Sequence, residues 1–247
     1  MSKKFEGKIC VYCLENLSTK TGDHVFAREF FLEKERNNLP KVPACKKCND
    51  EKSKLEHYLV TILPFGARHN DSLVNLETKV PPRLKKNVKL HHELLENIEK
   101  IEIFGKNNFS ETTSILPFKS DYLEQLFCFI VKGLMYYHWN IYLKSAYDVK
   151  IIFPENTLEE KFSSLLNKNS NRQVTKNLGS DTFLYEGRQG TDYPEFSVWK
   201  FQIYNGVHFS DNNNNSQIKT ENLLRDIIAV TAKKEFLKNS KFLKLFN

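Results

Sequence analysis

Four cysteines set the strongest constraint on what this chain can fold into. They fall as two Cys-x-x-Cys pairs, Cys10/Cys13 and Cys45/Cys48, separated by residues 14 to 44. Two such pairs, each on a tight turn, wrap one tetrahedral zinc in a closed structural site, with Zn–S bonds near ~2.3 Å. Metal binding then contributes folding energy to a segment with little apolar mass of its own. The fifth cysteine, Cys128, lies in an apolar stretch. The opening MSKKFEGKIC is charged and has no apolar run behind it, so no secretory signal is expected. The expected location is the cytoplasm, where thiols stay reduced and paired Cys-x-x-Cys motifs point to metal, not disulfides.

With 247 residues, 40% of them hydrophobic and 27% charged, the chain has globular composition and room for one or two domains. Collagen-like, mucin-like and coiled-coil readings are excluded. The net charge of +7 favours an acidic partner. The longest apolar stretch, residues 125–143, is interrupted by Lys132, His138 and Asn140 and reads as a buried helix, not a membrane span.

Residues 1 to 64 form a motif-dense unit. Turns carry the first Cys pair and residues 18–22, residues 24–26 are strand-like, and residues 27–35 form a short helical or irregular insert. Asn49 reads as an N-cap, with Asp50 and Glu51 in the first turn. Leu55, Tyr58, Leu59 and Ile62 recur at helical spacing until Pro64-Phe65-Gly66. Residues 67–90 read as a linker or extended arm, stiffened by Pro81-Pro82, in which Lys79, Arg83, Lys85, Lys86 and Lys89 follow each other with no acid between them. Residues 91–98 then read as helix, 100–104 as strand, 121–147 as helix, 149–153 as strand and 157–166 as helix. Residues 182–185 and 196–209 read as strands, 212–215 as a polar loop, and 223–246 as one or two closing helices carrying lysines. The expected class is α+β. It divides into an N-terminal module over residues 1–66, a basic linker or arm over 67–118, and a mixed α/β recognition or partner-binding domain over 119–247.

The neighbourhood of the cysteines carries a more specific signal. Asp23-His24 lies between the pairs, Asn49 directly follows the last cysteine, and Lys52 comes about one helical turn later. The strings CVYC, DHVF and PACKKCNDEK, in that order, resemble the HNH nucleases of the ββα-metal (His-Me finger) superfamily, over the N-terminal unit only. The resemblance implies a zinc-stabilised, treble-clef-like ββα-metal module. It implies His24 as general base, and Asp23 and Asn49 as oxygen ligands of a catalytic Mg²⁺ or Mn²⁺. Phosphodiester hydrolysis needs a deprotonated water, a countercharge for the phosphate and a proton for the leaving oxygen. A neutral imidazole accepts the proton from water, and one hard divalent ion supplies the countercharge. The zinc clip would hold the strand bearing Asp23-His24 against the helix bearing Asn49.

Two departures from the family pattern stand out. Pro40 occupies the usual place of the middle Asn, with Asn37 and Asn38 a little upstream, which leaves the partner that orients the base open. Asn49 replaces the last His of the HNH name and keeps an oxygen ligand. Glu56 returns to the face of Asn49 after two turns, and His57 lies slightly off it; either is a candidate second-layer group or metal ligand. Arg28 and Lys52 are candidate phosphate contacts, with a solvated lysine the plain reading of Lys52. The basic stretch from Lys79 to Lys89 is a candidate track for a phosphate backbone. His69, His91, His92, His138 and His208 are scattered, and the glycines form no phosphate loop. The function expected is that of a metal-dependent HNH endonuclease acting on DNA, with RNA the other candidate polymer. Defence or restriction is the setting such a chain suits by analogy. The alternatives are a non-catalytic zinc-containing nucleic-acid-binding protein and a nuclease subunit gated by a partner. A second copy or a protein partner would use the C-terminal half.

Overall fold

Two very short strands, β1 (Asp23–His24) and β2 (Lys41–Val42), pair antiparallel and deliver the chain into a long helix, α1 (Lys46–Gly66). The computed structural model describes residues 4–67, 69–104, 110–154, 172–210, 221–224 and 226–238. The helix read over 157–166 and the loop read over 212–215 lie outside the described residues. The insert between β1 and β2 consists of two 3-10 turns, Arg28–Phe30 and Glu33–Glu35.

Helix α1 begins earlier than the sequence suggests. Its N-cap is Cys45, whose sulfur accepts the Cys48 backbone N–H at 3.5 Å, so Asn49 lies within the helix and is not the cap. A thiol oriented by the Cys pair takes the role that polar oxygens usually fill. Leu55, Tyr58, Leu59 and Ile62 form the buried stripe that their spacing predicts.

The basic stretch is not an extended arm. It forms α2 (Asn70–Thr78), α3 (Val80–Lys86) and α4 (Val88–Glu96), anchored by buried Val80, Leu90 and Leu94. Pro81 and Pro82 fall in the first turn of α3, where proline fits because the first N–H groups of a helix have no internal partner. Arg83 shows why α3 docks where it does. Pro64 has no N–H to give the carbonyl of Val60, four residues earlier in α1. Arg83 Nη1 donates to that carbonyl instead, at 2.8 Å, while Nη2 binds Glu29 Oε2 at 3.0 Å.

A hairpin of β3 (Glu99–Phe104) and β4 (Ser110–Ile115) leads to α5 (Ser120–Trp139). This helix ends well short of residue 147. Asn140 turns left-handed at φ 55° and returns its N–H to Tyr136 O at 2.9 Å. Behind α5 stands an antiparallel sheet in the order β5-β11-β8-β7-β6, built from Tyr147–Ile152, Ile227–Lys233, Ser197–Ile203, Phe183–Gln189 and Gln173–Leu178. Strand β6 carries no alternating apolar pattern and had no strand signal; its faces are mostly exposed. The strand read over 196–209 breaks at Tyr204, Asn205 and Gly206, all left-handed, and continues as β9 (Val207–Ser210), paired with β10 (Glu221–Leu224).

The closing helices expected over 223–246 are replaced over most of their described length by strand. The β-branched run of β11 lies between β5 and β8, and among the described residues only the four-residue α6 (Lys234–Leu237) follows it. Residues 239–247 lie outside the described residues. Opposite Trp199 stands Gly187, where a Cβ would come within 2.3 Å of the indole, so only glycine lets that ring lie flat on the sheet. The fold thus mixes helices with antiparallel sheet. One apolar core runs from Cys10 through α1 and α5 to Ala229. Among the described residues, no helix is long and apolar enough to cross a membrane.

Candidate functional site

The two Cys pairs meet. Val11 N–H bonds Pro43 O at 3.0 Å and Thr19 N–H bonds Ala44 O at 2.9 Å, which docks the first cysteine loop on the second. Leu14 turns left-handed at φ 62° and returns its N–H to Cys10 O, curling the first pair inward. The four sulfurs of Cys10, Cys13, Cys45 and Cys48 all lie within 4.8 Å of one another, with Cys13 and Cys45 at 3.9 Å. A tetrahedron with Zn–S bonds of ~2.3 Å has S–S edges of about 3.8 Å, so the cluster has the size of a zinc site. Burial pushes the Cys10 and Cys48 thiols up. At Cys13, burial opposes ionisation but is outweighed by N–H donors from Glu15 and Asn16, and the thiol is held down to about 6. A set with one easy thiolate and buried, mutually repelling companions fits a bound dication, whose charge makes four thiolates tolerable.

Beside this cluster, β1 presents Asp23 inward and His24 toward the surface. Opposed residues of an antiparallel pair share a face. Asp23 pairs with Val42 and both are buried; His24 pairs with exposed Lys41 and is half-buried. Helix α5 holds the strand from behind: Gly133 passes Val25 so closely that a Cβ would meet Val25 Cγ2 at 2.9 Å. Phe26 packs on Phe183 of the large sheet, ring centroids 4.5 Å apart. Asp23 Oδ2 accepts the Tyr12 hydroxyl at 2.6 Å and lies 3.0 Å from Lys52 Nζ. Burial, then the Asp23 charge, keeps Tyr12 protonated and donating.

Lys52 departs most from its sequence reading. Its side chain is 0% exposed, where a solvated or phosphate-contacting lysine was expected. Its ammonium engages Asp23, donates to His24 O at 2.7 Å and pairs with Glu56 one turn on. Helical spacing aims Lys52 and Glu56 at β1, and the pair of carboxylates makes the burial of a cation tolerable. Burial raises the Glu56 carboxyl, against the pull of Lys52.

His24 is kept neutral at pH 7. Burial foremost, then the charges of Lys41 and Arg28, hold its imidazole down to about 4, against the opposing pull of Asp23. Among the described residues its ring has no hydrogen-bond partner, and Asn37 and Asn38 are exposed in the turn before β2. Asn49 is exposed early in α1, on the stripe that carries Lys52 and Glu56, whereas His57 is exposed and turned off it. Of the basic stretch, Lys79 pairs with Glu33 at 3.1 Å and Arg83 is the clamp on α1, so neither is a free phosphate contact. Lys85, Lys86 and Lys89 are exposed. Sequence reasoning missed Tyr12, which only tertiary packing brings to Asp23, and Lys41, whose signal was its place in β2. Comparison with protein-family models, with curated proteins and with solved structures finds no match.

Proposed function

We propose that this chain is a metal-dependent endonuclease of the HNH type that hydrolyses phosphodiester bonds in DNA. One observation carries the reading: Asp23-His24 stands on a strand tied by buried Lys52 to a helix whose start bears the second half of a four-cysteine clip. A strand–strand–helix unit with a His at the surface and a carboxylate beneath it is the frame that such hydrolysis uses.

The catalytic ion of the family would be held by Asp23 and Asn49. Asp23 Oδ2 already receives Tyr12 and Lys52, which leaves the carboxylate one oxygen for a cation. Among the described residues, no group of three His, Cys, Asp or Glu donors converges outside the four cysteines. Mg²⁺ retains most of its waters and needs only one or two protein oxygens, so two oxygen donors of this kind would suffice. When bound, the ion would supply countercharge to the scissile phosphate. Neutral His24 would take the proton from the attacking water. Lys52 and Tyr12 would hold Asp23 in place, and the cysteine clip would hold β1 against α1.

The engagement of Asp23 by two donors also favours a second reading, a zinc-containing nucleic-acid-binding protein without catalysis. A supercoiled-plasmid assay with Mg²⁺ or Mn²⁺, comparing native protein with zinc-loaded His24→Ala, decides between them. Nicking by the native protein that is lost in the variant supports hydrolysis with His24 as base. Equal nicking by both removes His24 from the role. No nicking by either, with zinc bound and DNA retained, favours the binding protein.

A further inference from the structure

Cations at the surface of this protein divide into those with an acidic partner and those without. Around the β1–β2 unit, Arg36 and Arg83 both bind Glu29, at 3.2 and 3.0 Å, and Lys79 binds Glu33. Lys46 pairs with Asp50, and Lys52 is buried. Two exposed cations near His24 stand apart from these pairs. Among the described residues, neither Lys41 nor Arg28 has an ion-pair partner, although Glu29 is the next residue after Arg28.

Their placement is set by the backbone. Lys41 is the direct cross-strand partner of His24, so the two side chains leave the same face of the ribbon as neighbours. Arg28 opens the 3-10 turn that follows β1, after three consecutive buried residues, Val25, Phe26 and Ala27. A lysine directly across the ribbon from half-buried His24 and an arginine at the turn that follows β1, with no carboxylate drawn to either, form a seat for an anionic backbone. The lysines of α3 and α4 that sequence alone singled out lie on other helices, and the two most firmly held cations of that stretch are engaged elsewhere.

We infer that Lys41 and Arg28 form a two-point clamp on the phosphate backbone of duplex DNA beside His24, each residue making one phosphate contact. This rests on the nuclease reading for the polymer it names, but its test does not require cleavage. The clamp positions and carries no base information.

Binding of a fluorescein-labelled DNA duplex is measured by anisotropy with the zinc-loaded full chain, without added Mg²⁺ or Mn²⁺, across a salt series. Each phosphate contact adds about 0.9 to the magnitude of the slope of log K against log salt. Lys41→Gln and Arg28→Gln are expected each to lower that slope by about 0.9 and to weaken binding several-fold, while Lys41→Arg restores the native slope. Lys150→Gln, on an exposed position of β5, is expected to leave it unchanged. A native slope in Lys41→Gln, or absence of salt-dependent binding by the native protein, overturns the clamp. Lys41-dependent binding without plasmid nicking would keep the clamp and overturn hydrolysis. All three glutamine variants replace exposed residues, and an unchanged thermal midpoint shows that each is folded.

Discussion

Replacing Arg83 by Met tests how α3 is fixed to α1. Val60 is 2% exposed, and its carbonyl lacks a helical donor because Pro64 stands four residues on. Removal of Arg83 Nη1, now 2.8 Å from that oxygen, leaves a buried acceptor unpaired, at a cost of about 1–3 kcal/mol. The ion pair with Glu29 adds little, since Glu29 is 47% exposed and such pairs contribute roughly 0–1 kcal/mol. Arg83→Met should therefore destabilise by about 2–3 kcal/mol. In a Pro64→Ala background, residue 64 regains an N–H that reaches Val60 O, and the same substitution should cost about 1 kcal/mol less. Urea denaturation of the four zinc-loaded proteins closes the cycle. If the two costs of Arg83→Met agree within about 0.5 kcal/mol, the carbonyl is not what Arg83 serves.

Lys52→Met should destabilise by about 3–5 kcal/mol, since it strands two largely buried carboxylates; a loss under about 1 kcal/mol by the same denaturation assay would refute the buried network. Removal of the metal should unfold the N-terminal unit first: Cys13→Ser should lower the zinc content, read by elemental analysis, and the melting temperature together, and a native melting temperature with no metal bound would contradict a structural role. His138 is held down to about 4, by burial foremost and then by Lys176, and its Nε2 lies 2.9 Å from the Tyr185 hydroxyl. Its folded pKa lies below its unfolded one, so between the two the unfolded chain binds more protons and stability falls as pH drops from about 6.5 toward 4. Discounted for solvent, the loss attributable to this ring is on the order of 1 kcal/mol, so His138→Gln should lose less stability than native protein between pH 7 and pH 5; equal losses would exonerate the ring.

Short-range patterns were readable from the residues. The Cys-x-x-Cys spacing anticipated a cluster that the folded chain assembles, because each pair makes its own turn and needs only one long-range closure. The apolar stripe of α1 and the run of α5 were legible because helical periodicity is local. The ends of these helices were not. Asn49 carries every mark of a cap, yet Cys45 caps α1; and α5 stops at Asn140 because a left-handed residue, not an apolar gap, closes it.

Tertiary structure alone decided the rest, because charge and β-branching do not say what they will face. Lysines look alike in sequence, but Lys52 is buried between Asp23 and Glu56, Lys79 is paired and Lys41 is left facing solvent beside His24. The basic run around Pro81-Pro82 read as an extended arm until proline's fit to a helix start, and a carbonyl left open by Pro64, gave it a place to dock. The tail around Ile227–Lys233 read as helix until two flanking strands offered its backbone a ladder. What the sequence determined by itself was local: where cysteines turn and where a helix stripe lies. Which residues meet depends on contacts between segments far apart in the chain, such as Tyr12 on Asp23 and Gly133 on Val25, and these exist only in the packed fold.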